Sequence, residues 1–269
     1  MVLDFIIIIP TFNEENVIKK TLLYIKQQKT RASFKALVVD GGSTDRTVEI
    51  AQNYVKVIKS PKTDKAYQLN YASAQTNSKY LIFLDADTKI PENYVERIRM
   101  AFKHDTELWV CGGHISYVGD VRGLFYFFIV LQALINFLMY AFFSFIWFLF
   151  QFLPEARYKI IKKYFFFTSS MFMYYFMRQL LNSPELSGSN ICIRRDIFEE
   201  IGGFRKPAKL GVDWLFCHAV RTHIRRKNYG KLKMIHSLVV ETDVRHITIS
   251  RSLKRFKTHR NFTEISRKF

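Results

Sequence analysis

The segment YLIFLDADTKIP at residues 80–91 constrains this chain more than any other. Residues 80–84 form an apolar run typical of a buried strand, which ends in two carboxylates, Asp85 and Asp87. Buried carboxylates are costly unless they are paired or bind a metal. At the carboxyl end of a parallel strand they would face the crevice in which open α/β sheets bind ligands. Such a turn suits Mg²⁺ or Mn²⁺, although a solvated strand end without a metal would give the same pattern.

Two other apolar runs also end in polar loops. Residues 35–39 (KALVV) lead into DGGSTD at 40–45 and then into a helical pattern. Residues 4–9 lead into PTFNEE at 10–15 and another helical pattern, for which Asn13 is the expected N-cap. The resulting alternation of strands and helices predicts an α/β fold with a parallel sheet and helices on both of its faces.

These loops resemble the motifs of family-2 glycosyltransferases of the GT-A fold. The matching segments occur in the family's order and spacing: IPTFNEE at 9–15, VVDGGSTDRT at 38–47, KAYQLNYA at 65–72 and FLDADT at 83–88. The resemblance covers the chain to about residue 115 and resumes over about 185–260. It implies a Rossmann-like nucleotide-binding domain with a mixed, mainly parallel sheet, and a hexosyltransferase activity that depends on Mg²⁺ or Mn²⁺. Within the family, the chain is similar to membrane-bound polyprenyl- and dolichyl-phosphate sugar transferases and to cellulose-synthase-like members.

The resemblance also assigns roles to residues around a nucleotide-diphosphate sugar. Asp87 would ligate the metal, and Asp85 would approach both the metal and the ribose. Asp40 would contact the nucleobase of the donor. The remaining residues that it places around the nucleotide or its diphosphate are Pro10, Thr11, Glu14 and Lys65.

The part of the chain after residue 184 supplies the expected acceptor side. SGSNICIRRDIFEEIGGF at 187–204 resembles the family again, and it implies that Ser189 and Asn190 line the acceptor site, with a helix ending at Gly202-Gly203. In GVDWLFCHAVR at 211–221 the resemblance makes Asp213 the catalytic base and places Trp214 beside the acceptor. In the family an acidic pair often occurs here, and Val212 stands where the first acid of that pair would be. A plain helix N-cap is the alternative role for Asp213.

A basic segment follows, in which SLKRF at 252–256 resembles a degenerate form of the Q-x-x-R-W motif of cellulose-synthase-like members. By this resemblance Arg255 would hold the diphosphate, since a guanidinium can bind it in a bidentate manner. The alternative is that Arg255 belongs to a solvated or lipid-facing basic side of a helix.

The middle of the chain has the character of a membrane segment. No charged residue occurs between Arg122 and Glu155, a run that exceeds the roughly 20 apolar residues needed to span a bilayer. A second apolar stretch at 164–177 is shorter. The two could form a transmembrane hairpin, which we favour, or lie in the interface as amphipathic or re-entrant helices. Gly112–Gly113 and Gly123 are expected to provide the bends that lead into the insert.

The predicted organisation is therefore a nucleotide-sugar-binding half at 1–117, a membrane insert at 118–183 and an acceptor half with the catalytic base at 184–269. The net charge of +18 indicates an anionic partner, but the chain has no zinc-finger, RRM or KH signature, and we expect no nucleic acid. The expected partners are a nucleotide-diphosphate sugar, a lipid-linked acceptor and membrane lipids. We expect a multi-pass protein of the cell membrane with two membrane segments and a cytoplasmic catalytic domain.

The resulting functional prediction is an inverting, metal-dependent transfer of a sugar to a dolichyl- or polyprenyl-linked glycan, with GDP-mannose as a guess for the donor. A dolichyl- or polyprenyl-phosphate monosaccharide synthase and a polysaccharide synthase are the alternatives within the family. A different class is an inactive, membrane-anchored scaffold, for which Val212 would be the sign.

Overall fold

The computed structural model describes residues 2–118, 190–205 and 212–243, together with position 186 and five isolated positions between 134 and 142. The chain forms two compact units, one made of Met1–Val118 and Glu185–Phe269 and the other of Gly119–Pro184. The second unit covers nearly the same residues as the predicted membrane insert at 118–183, but that prediction concerns residues that lie almost entirely outside the described ones and stays a prediction. Within the described ranges, no helix is both long enough and apolar enough to cross a bilayer.

Strands and helices alternate along the first unit as far as its fifth strand. The strands are β1 (Leu3–Thr11), β2 (Phe34–Asp40), β3 (Lys56–Lys59), β4 (Ser78–Phe83), β5 (Leu108–Val118), β6 (Ile191–Arg194) and β7 (Lys231–Asp243). The helices are α1 (Ile18–Lys26), α2 (Thr47–Gln52), α3 (Lys65–Ala74), α4 (Tyr94–His104), α5 (Arg195–Glu200) and α6 (Val212–Lys227). The three apolar runs that predicted strands correspond to β1, β2 and β4.

The strands form one seven-stranded sheet in the order β3-β2-β1-β4-β6-β5-β7. Every neighbouring pair is parallel except the two that involve β6, which runs antiparallel to both β4 and β5. The prediction of a mixed, mainly parallel sheet is therefore confirmed. Because the other six strands point the same way, their carboxyl ends share one edge of the sheet.

The sheet is covered on both faces by helices, as the continuous apolar strands predicted. Along β1, Phe5, Ile7 and Ile9 belong to one core, which also contains the buried faces of α1 and α4. Ile6 and Ile8 belong to the other core, together with the buried residues of α3, α5 and α6. Burial on both faces explains why β1 has five consecutive buried apolar residues rather than an alternating pattern.

Two glycines that were expected to bend the chain into the insert have another role. Gly112 and Gly113 lie inside β5, which continues as a strand to Val118, so the predicted bend at these residues is wrong. A Cβ at Gly112 would lie 2.3 Å from the carbonyl oxygen of Asn190, and a Cβ at Gly113 would lie 1.6 Å from that of Leu238. Both positions therefore require glycine because neighbouring backbone packs directly against them.

The corner after β6 follows the prediction closely. Helix α5 spans Arg195–Glu200, and Gly202 and Gly203 follow it closely. Gly202 and Gly203 have φ values of 77° and 68°, a left-handed conformation that glycine adopts without a steric cost. Their amides bond back to the carbonyls of Glu199 and Phe198, which closes the helix end.

Candidate active site

The polar loops after β1, β2 and β4 meet at the carboxyl edge of the sheet. The three strands are direct neighbours, and Thr11 at the end of β1 is in register with Asp40 at the end of β2. This edge is where open α/β sheets bind ligands. The three motifs that the sequence singled out therefore come together at one place, although they are distant along the chain.

The first loop is held to the second by the side chain of Asn13. Its Oδ1 accepts a hydrogen bond from the amide of Thr44 at 2.8 Å, and its own amide donates to Ser43 Oγ at 2.9 Å. Asn13 has a φ of 56°, a left-handed conformation that Asn tolerates better than most residues. The prediction that Asn13 caps α1 is wrong, because that helix begins only at Ile18 and its N-cap, Val17, makes no side-chain cap bond.

The backbone amides of the two acidic residues in the first loop also bind the second loop. The amide of Glu14 donates to Thr47 Oγ1 at 2.7 Å, and the amide of Glu15 donates to Asp45 Oδ2 at 3.2 Å. Asp45 also accepts from the amide of Thr47 at 3.0 Å, at the start of α2. Both loops are thus fixed to each other through backbone amides, so each motif supplies the other's hydrogen-bond partners.

The carboxylate of Asp40 is enclosed by donors from these two loops. The amides of Gly42 and Ser43 each donate to Oδ2 at 2.9 Å. Ser43 Oγ and Thr11 Oγ1 donate to Oδ1 at 2.5 and 3.3 Å. Asp40 is only 3% exposed, and four donors satisfy most of the acceptor capacity of a carboxylate. In this structure its bonding organises the loop, and its predicted contact with a nucleobase stays a prediction.

The other residues predicted to border the nucleoside lie around this loop. Pro10 is half-buried at the end of β1, while Thr11 is buried with its hydroxyl on Val39 and Asp40. Glu14 is half-buried, and its amide is engaged as described above. Pro10 and Glu14 thus keep surface that a ligand could reach, whereas Thr11 does not.

The segment KAYQLNYA is the first part of α3, and its polar side chains make three different kinds of contact. Gln68 is 2% exposed, donates to the carbonyl of Thr63 at 3.0 Å and packs against Gly41, where a Cβ would lie 2.3 Å from Gln68 Nε2. Asn70 exchanges two hydrogen bonds with the backbone of Phe204, at 2.7 and 2.8 Å. Gln68 and Asn70 therefore serve the structure, whereas the role predicted for Lys65 at the diphosphate stays a prediction.

Hydrogen bonds from a neighbouring helix and from its own backbone fix the turn that carries Asp85 and Asp87. Ala86 is buried, and its carbonyl accepts a hydrogen bond from Thr21 Oγ1 at 2.7 Å. The amide of Thr88 closes the turn on the carbonyl of Asp85 at 3.2 Å. Sequence reasoning did not identify Thr21 as part of the site. Its signal is a hydroxyl among the apolar residues on the buried face of α1.

Lys65 lies at the first position of α3, and its ammonium binds this turn. Lys65 Nζ is 2.5 Å from Asp85 Oδ1, with both side chains about one-third exposed. The preceding residue, Asp64, caps the helix by accepting from the amide of Tyr67 at 2.8 Å. The backbone of Lys65 is thus fixed, and its flexible four-carbon stem carries the charge to the end of β4.

The pKa of Lys65 shows which carboxylates surround the ammonium. Burial is the largest single influence and would lower the pKa, because it disfavours the charged form. The negative charges of Asp85, Asp213 and Asp87 together outweigh burial, so that the pKa is raised above its usual value. The predicted base and both predicted metal ligands therefore act on one ammonium.

Asp213 reaches this place from the other half of the chain. It lies in the first turn of α6, where it is half-buried. Because α6 already begins at Val212, Asp213 is inside the helix rather than at the N-cap position that was its alternative role. A negatively charged side chain in the first turn of a helix interacts favourably with the helix dipole.

The predicted acceptor side is only partly visible. Asn190 is fully buried, and its Oδ1 accepts a hydrogen bond from the hydroxyl of Tyr94 at 2.7 Å. It therefore offers no surface to an acceptor in this structure and instead joins β6 to α4. Trp214 belongs to α6, but its side chain lies outside the described residues, as do Ser189 and Arg255.

A divalent cation fits the charges of this site. Within the part of the chain that is described, no three His, Cys, Asp or Glu side chains are grouped as a ready-made metal site. However, Asp85 and Asp87 stand on one rigid turn, and carboxylate oxygens are the ligands that Mg²⁺ and Mn²⁺ prefer. The ammonium of Lys65 binds Asp85 at the end of β4, so this carboxylate already stabilises one positive charge.

Comparison with known proteins matches these features to one family. The model of Glycosyl transferase family 2 matches residues 6–202. The succinoglycan biosynthesis protein ExoA of Rhizobium meliloti is 33% identical over 101 residues, which are 35% of this chain and 31% of that protein. A dolichyl N-acetyl-alpha-D-glucosaminyl phosphate 3-beta-D-2,3-diacetamido-2,3-dideoxy-beta-D-glucuronosyltransferase of Methanococcus voltae is 27% identical over 127 residues, 42% of this chain and 40% of that protein.

Solved structures share the fold at low sequence identity. TarS residues 1–349 from S. aureus, in complex with UDP, superimposes with a TM-score of 0.60 at 18% identity, over 90% of this chain and 61% of that one. The mannosyltransferase PcManGT from Pyrobaculum calidifontis, in complex with GDP-Man and Mn²⁺, gives 0.55 at 18% identity, over 90% and 57%. The chain thus spans less than two thirds of the length of each of these proteins. The likeness shows a GT-A-like α/β fold.

Proposed function

The chain belongs to Glycosyl transferase family 2, and from this premise we propose that it transfers a sugar from a nucleoside-diphosphate sugar to a lipid-linked glycan, with inversion at the anomeric carbon and with a divalent metal. The observation that carries this proposal is the grouping of Asp85, Asp87 and Asp213 around Lys65 at the carboxyl edge of the sheet. It combines two candidate metal ligands, a candidate base and a cation for phosphate at one place.

In the proposed reaction Asp213 accepts the proton of the acceptor hydroxyl. The hydroxyl oxygen then forms a bond to the anomeric carbon, while the bond from that carbon to the diphosphate breaks and its electron pair leaves with the nucleoside diphosphate. A single displacement of this kind inverts the configuration. The missing acid at Val212 does not remove the base, since one carboxylate within hydrogen-bond reach is sufficient.

The leaving diphosphate is where negative charge grows, so stabilisation is needed there. Asp85 and Asp87 would hold Mg²⁺ or Mn²⁺, which when bound supplies Lewis-acid stabilisation of that charge. Lys65 supplies a positive charge from the start of α3, and Arg255 is proposed to add a second one. Pro10, Glu14 and the loop organised by Asp40 would border the nucleoside.

For the donor we propose GDP-mannose, with UDP-sugars as the closest competitors. Support comes from the Pyrobaculum mannosyltransferase, which was solved in complex with GDP-Man and Mn²⁺, and from a TarS structure in complex with UDP-GlcNAc. Both likenesses are of fold, at 18% and 16% identity, so they bear on the class of donor rather than on the sugar.

The lipid-linked acceptor is proposed from the insert. The run between Arg122 and Glu155 has no charge, and the described positions within it are helical. Leu134, Phe137, Leu138 and Phe142 are 51 to 67% exposed, at spacings that place them on one side of a helix. An exposed apolar stripe of this kind suits contact with lipid. We therefore propose a membrane protein with a cytoplasmic catalytic domain, and the name of the Methanococcus relative is consistent with such an acceptor.

The test is a transfer assay on the full-length chain in lipid nanodiscs. The donors would be GDP-mannose, UDP-GlcNAc and UDP-glucose, each with Mn²⁺ or with chelator. The acceptors would be polyprenyl-diphosphate-linked GlcNAc and plain polyprenyl phosphate. We expect metal-dependent transfer of one sugar to the lipid-linked GlcNAc. Transfer to polyprenyl phosphate alone would identify a lipid-phosphate monosaccharide synthase instead. Absence of both transfer and nucleotide binding would favour the inactive scaffold.

A further inference from the structure

Lys65 and Asp85 bind each other in the structure, although in the proposed reaction each of them binds a different group. Asp85 belongs to the proposed metal ligands, whereas Lys65 belongs to the proposed diphosphate site. In the structure the two bind each other at 2.5 Å. A carboxylate oxygen that accepts from an ammonium at this distance is not available to a metal on the same side.

The charges of the cluster explain why this pairing forms. Asp85, Asp87 and Asp213 carry three negative charges, and like charges at close range destabilise one another. The ammonium of Lys65 lies 2.5 Å from Asp85 Oδ1 and so places a positive charge beside these carboxylates. The cluster therefore has a cation of its own, held by the same charges that would attract a metal.

A donor complex would redistribute these charges without changing their total. A divalent cation adds two positive charges beside the carboxylates, and the diphosphate of the donor adds two negative ones. The ammonium would then be repelled by the metal and attracted by the diphosphate. Its stem allows this movement because the backbone of Lys65 is fixed in α3 while the side chain is about one-third exposed.

We propose that Lys65 is a resident cation that the divalent metal displaces from Asp85, and that the released ammonium then binds the diphosphate of the donor. This inference rests on the proposed function. It makes the binding of metal and of donor cooperative, because metal alone must break an ion pair whereas the donor provides a new partner for the lysine. Lys65 therefore weakens the binding of the metal when no donor is present, and it strengthens the binding of the donor once the metal is bound.

The test measures binding of Mn²⁺ alone, by the loss of the EPR signal of free Mn²⁺, to the full chain in nanodiscs. Lys65→Met should bind Mn²⁺ on the order of tenfold more tightly than wild type, since a nearby positive charge disfavours a cation to that extent. With Mn²⁺ saturating, the same variant should bind GDP or UDP on the order of tenfold more weakly, because a diphosphate partner is lost. The two affinities should move in opposite directions.

The control is Lys62→Met, which removes the same charge three residues away. Lys62 Nζ stands over the ring of Tyr67, 5.3 Å from its centroid. Neither affinity should change by more than about twofold, because charges that are separated and solvated are strongly screened. If Lys65→Met fails to fold, Lys65→Gln serves the same purpose, and Lys65→Arg should keep the weak binding of metal alone.

Two results would overturn the inference in distinguishable ways. If wild type binds Mn²⁺ with nucleotide but Lys65→Met gains no affinity for Mn²⁺ alone, the displacement is wrong while the proposed function stands. If wild type binds Mn²⁺ neither alone nor with GDP or UDP, then both the displacement and the proposed metal dependence are wrong.

Discussion

The loop after β2 and the turn after β4 both present aspartates at the same edge of the sheet, but the two neutralise charge differently. Asp40 is buried and surrounded by amide and hydroxyl donors from its own loop and from Thr11. Asp85 is partly exposed and bound to the ammonium of a flexible side chain. Donors that are part of the loop cannot move away from Asp40, whereas the lysine side chain can move away from Asp85. We infer that Asp40 fixes the conformation of its loop and that Asp85 can exchange the lysine for another cation.

The largest effect that would test this contrast is expected at Asp213. Asp213→Asn should reduce turnover roughly 10²- to 10⁴-fold, the usual contribution of a general base, while nucleotide binding and thermal stability change little. Turnover and nucleotide binding would be measured on the same preparation. Asp196→Asn is the matched control, because Asp196 lies in α5 and pairs with Arg194 at the end of β6. Unchanged turnover in Asp213→Asn would remove this residue from the reactive cluster.

A smaller effect, on stability rather than rate, is expected at Asp40. Asp40→Asn replaces one acceptor oxygen with an amide group that faces donors, which should destabilise the fold by about 1–3 kcal/mol. Urea unfolding of both proteins would measure the difference. Asp64→Asn is the control, since Asn caps a helix about as well as Asp and should cost less than about 0.5 kcal/mol. A stable Asp40→Asn that no longer binds nucleotide would instead place Asp40 among the ligand-binding groups.

The smallest effect concerns a carboxylate that serves structure far from either loop. Glu96 accepts hydrogen bonds from Arg99, Thr30 and the amide of Arg31, which lower its pKa from 4.5 to about 2. The folded state therefore binds fewer protons than the unfolded state, so this contribution to stability is complete above about pH 4.5 and is lost as the pH falls towards 2.

The variant Glu96→Gln should accordingly be less stable than wild type near neutral pH, with the difference shrinking between pH 4.5 and 2. Thermal melts of both proteins over this range would show it. A difference that stays constant down to pH 2 would mean that the hydrogen bonds of Glu96 do not depend on its charge. Such a result would weaken the distinction between structural and exchangeable carboxylates.

Sequence patterns predicted the parts of this fold that are local. β1, β2 and β4 were visible because continuous apolar runs end in recognisable turn residues, and the corner at Gly202-Gly203 was visible for the same reason. The pairing of β5 with β7 and the antiparallel position of β6 were not, because they depend on contacts between segments far apart in the chain. Gly112 and Gly113 were misread for that reason, since backbone from other segments packs against them.

The site was predictable to a similar extent. The sequence named Asp85 and Asp87 as a pair of metal ligands, Lys65 as a diphosphate contact and Asp213 as the base. It did not predict the ion pair between Lys65 and Asp85 or the influence of Asp213 on that ammonium. Thr21 was missed as a support because its partner, the carbonyl of Ala86, is distant in the chain and is identified only by the tertiary structure. Asn13 was assigned to the nearest helix, whereas its actual partners lie in the neighbouring loop.

The antiparallel strand β6 has a consequence for how the protein is made. It fills the place between β4 and β5, yet both of those strands leave the ribosome before β6 has been translated. The hydrogen bond between Tyr94 and Asn190 spans 96 residues, and the entire second unit lies between. A nascent chain thus carries two apolar strand edges that only later synthesis can pair, and such edges promote aggregation. Completion of the catalytic sheet therefore has to wait until the ribosome has passed the insert.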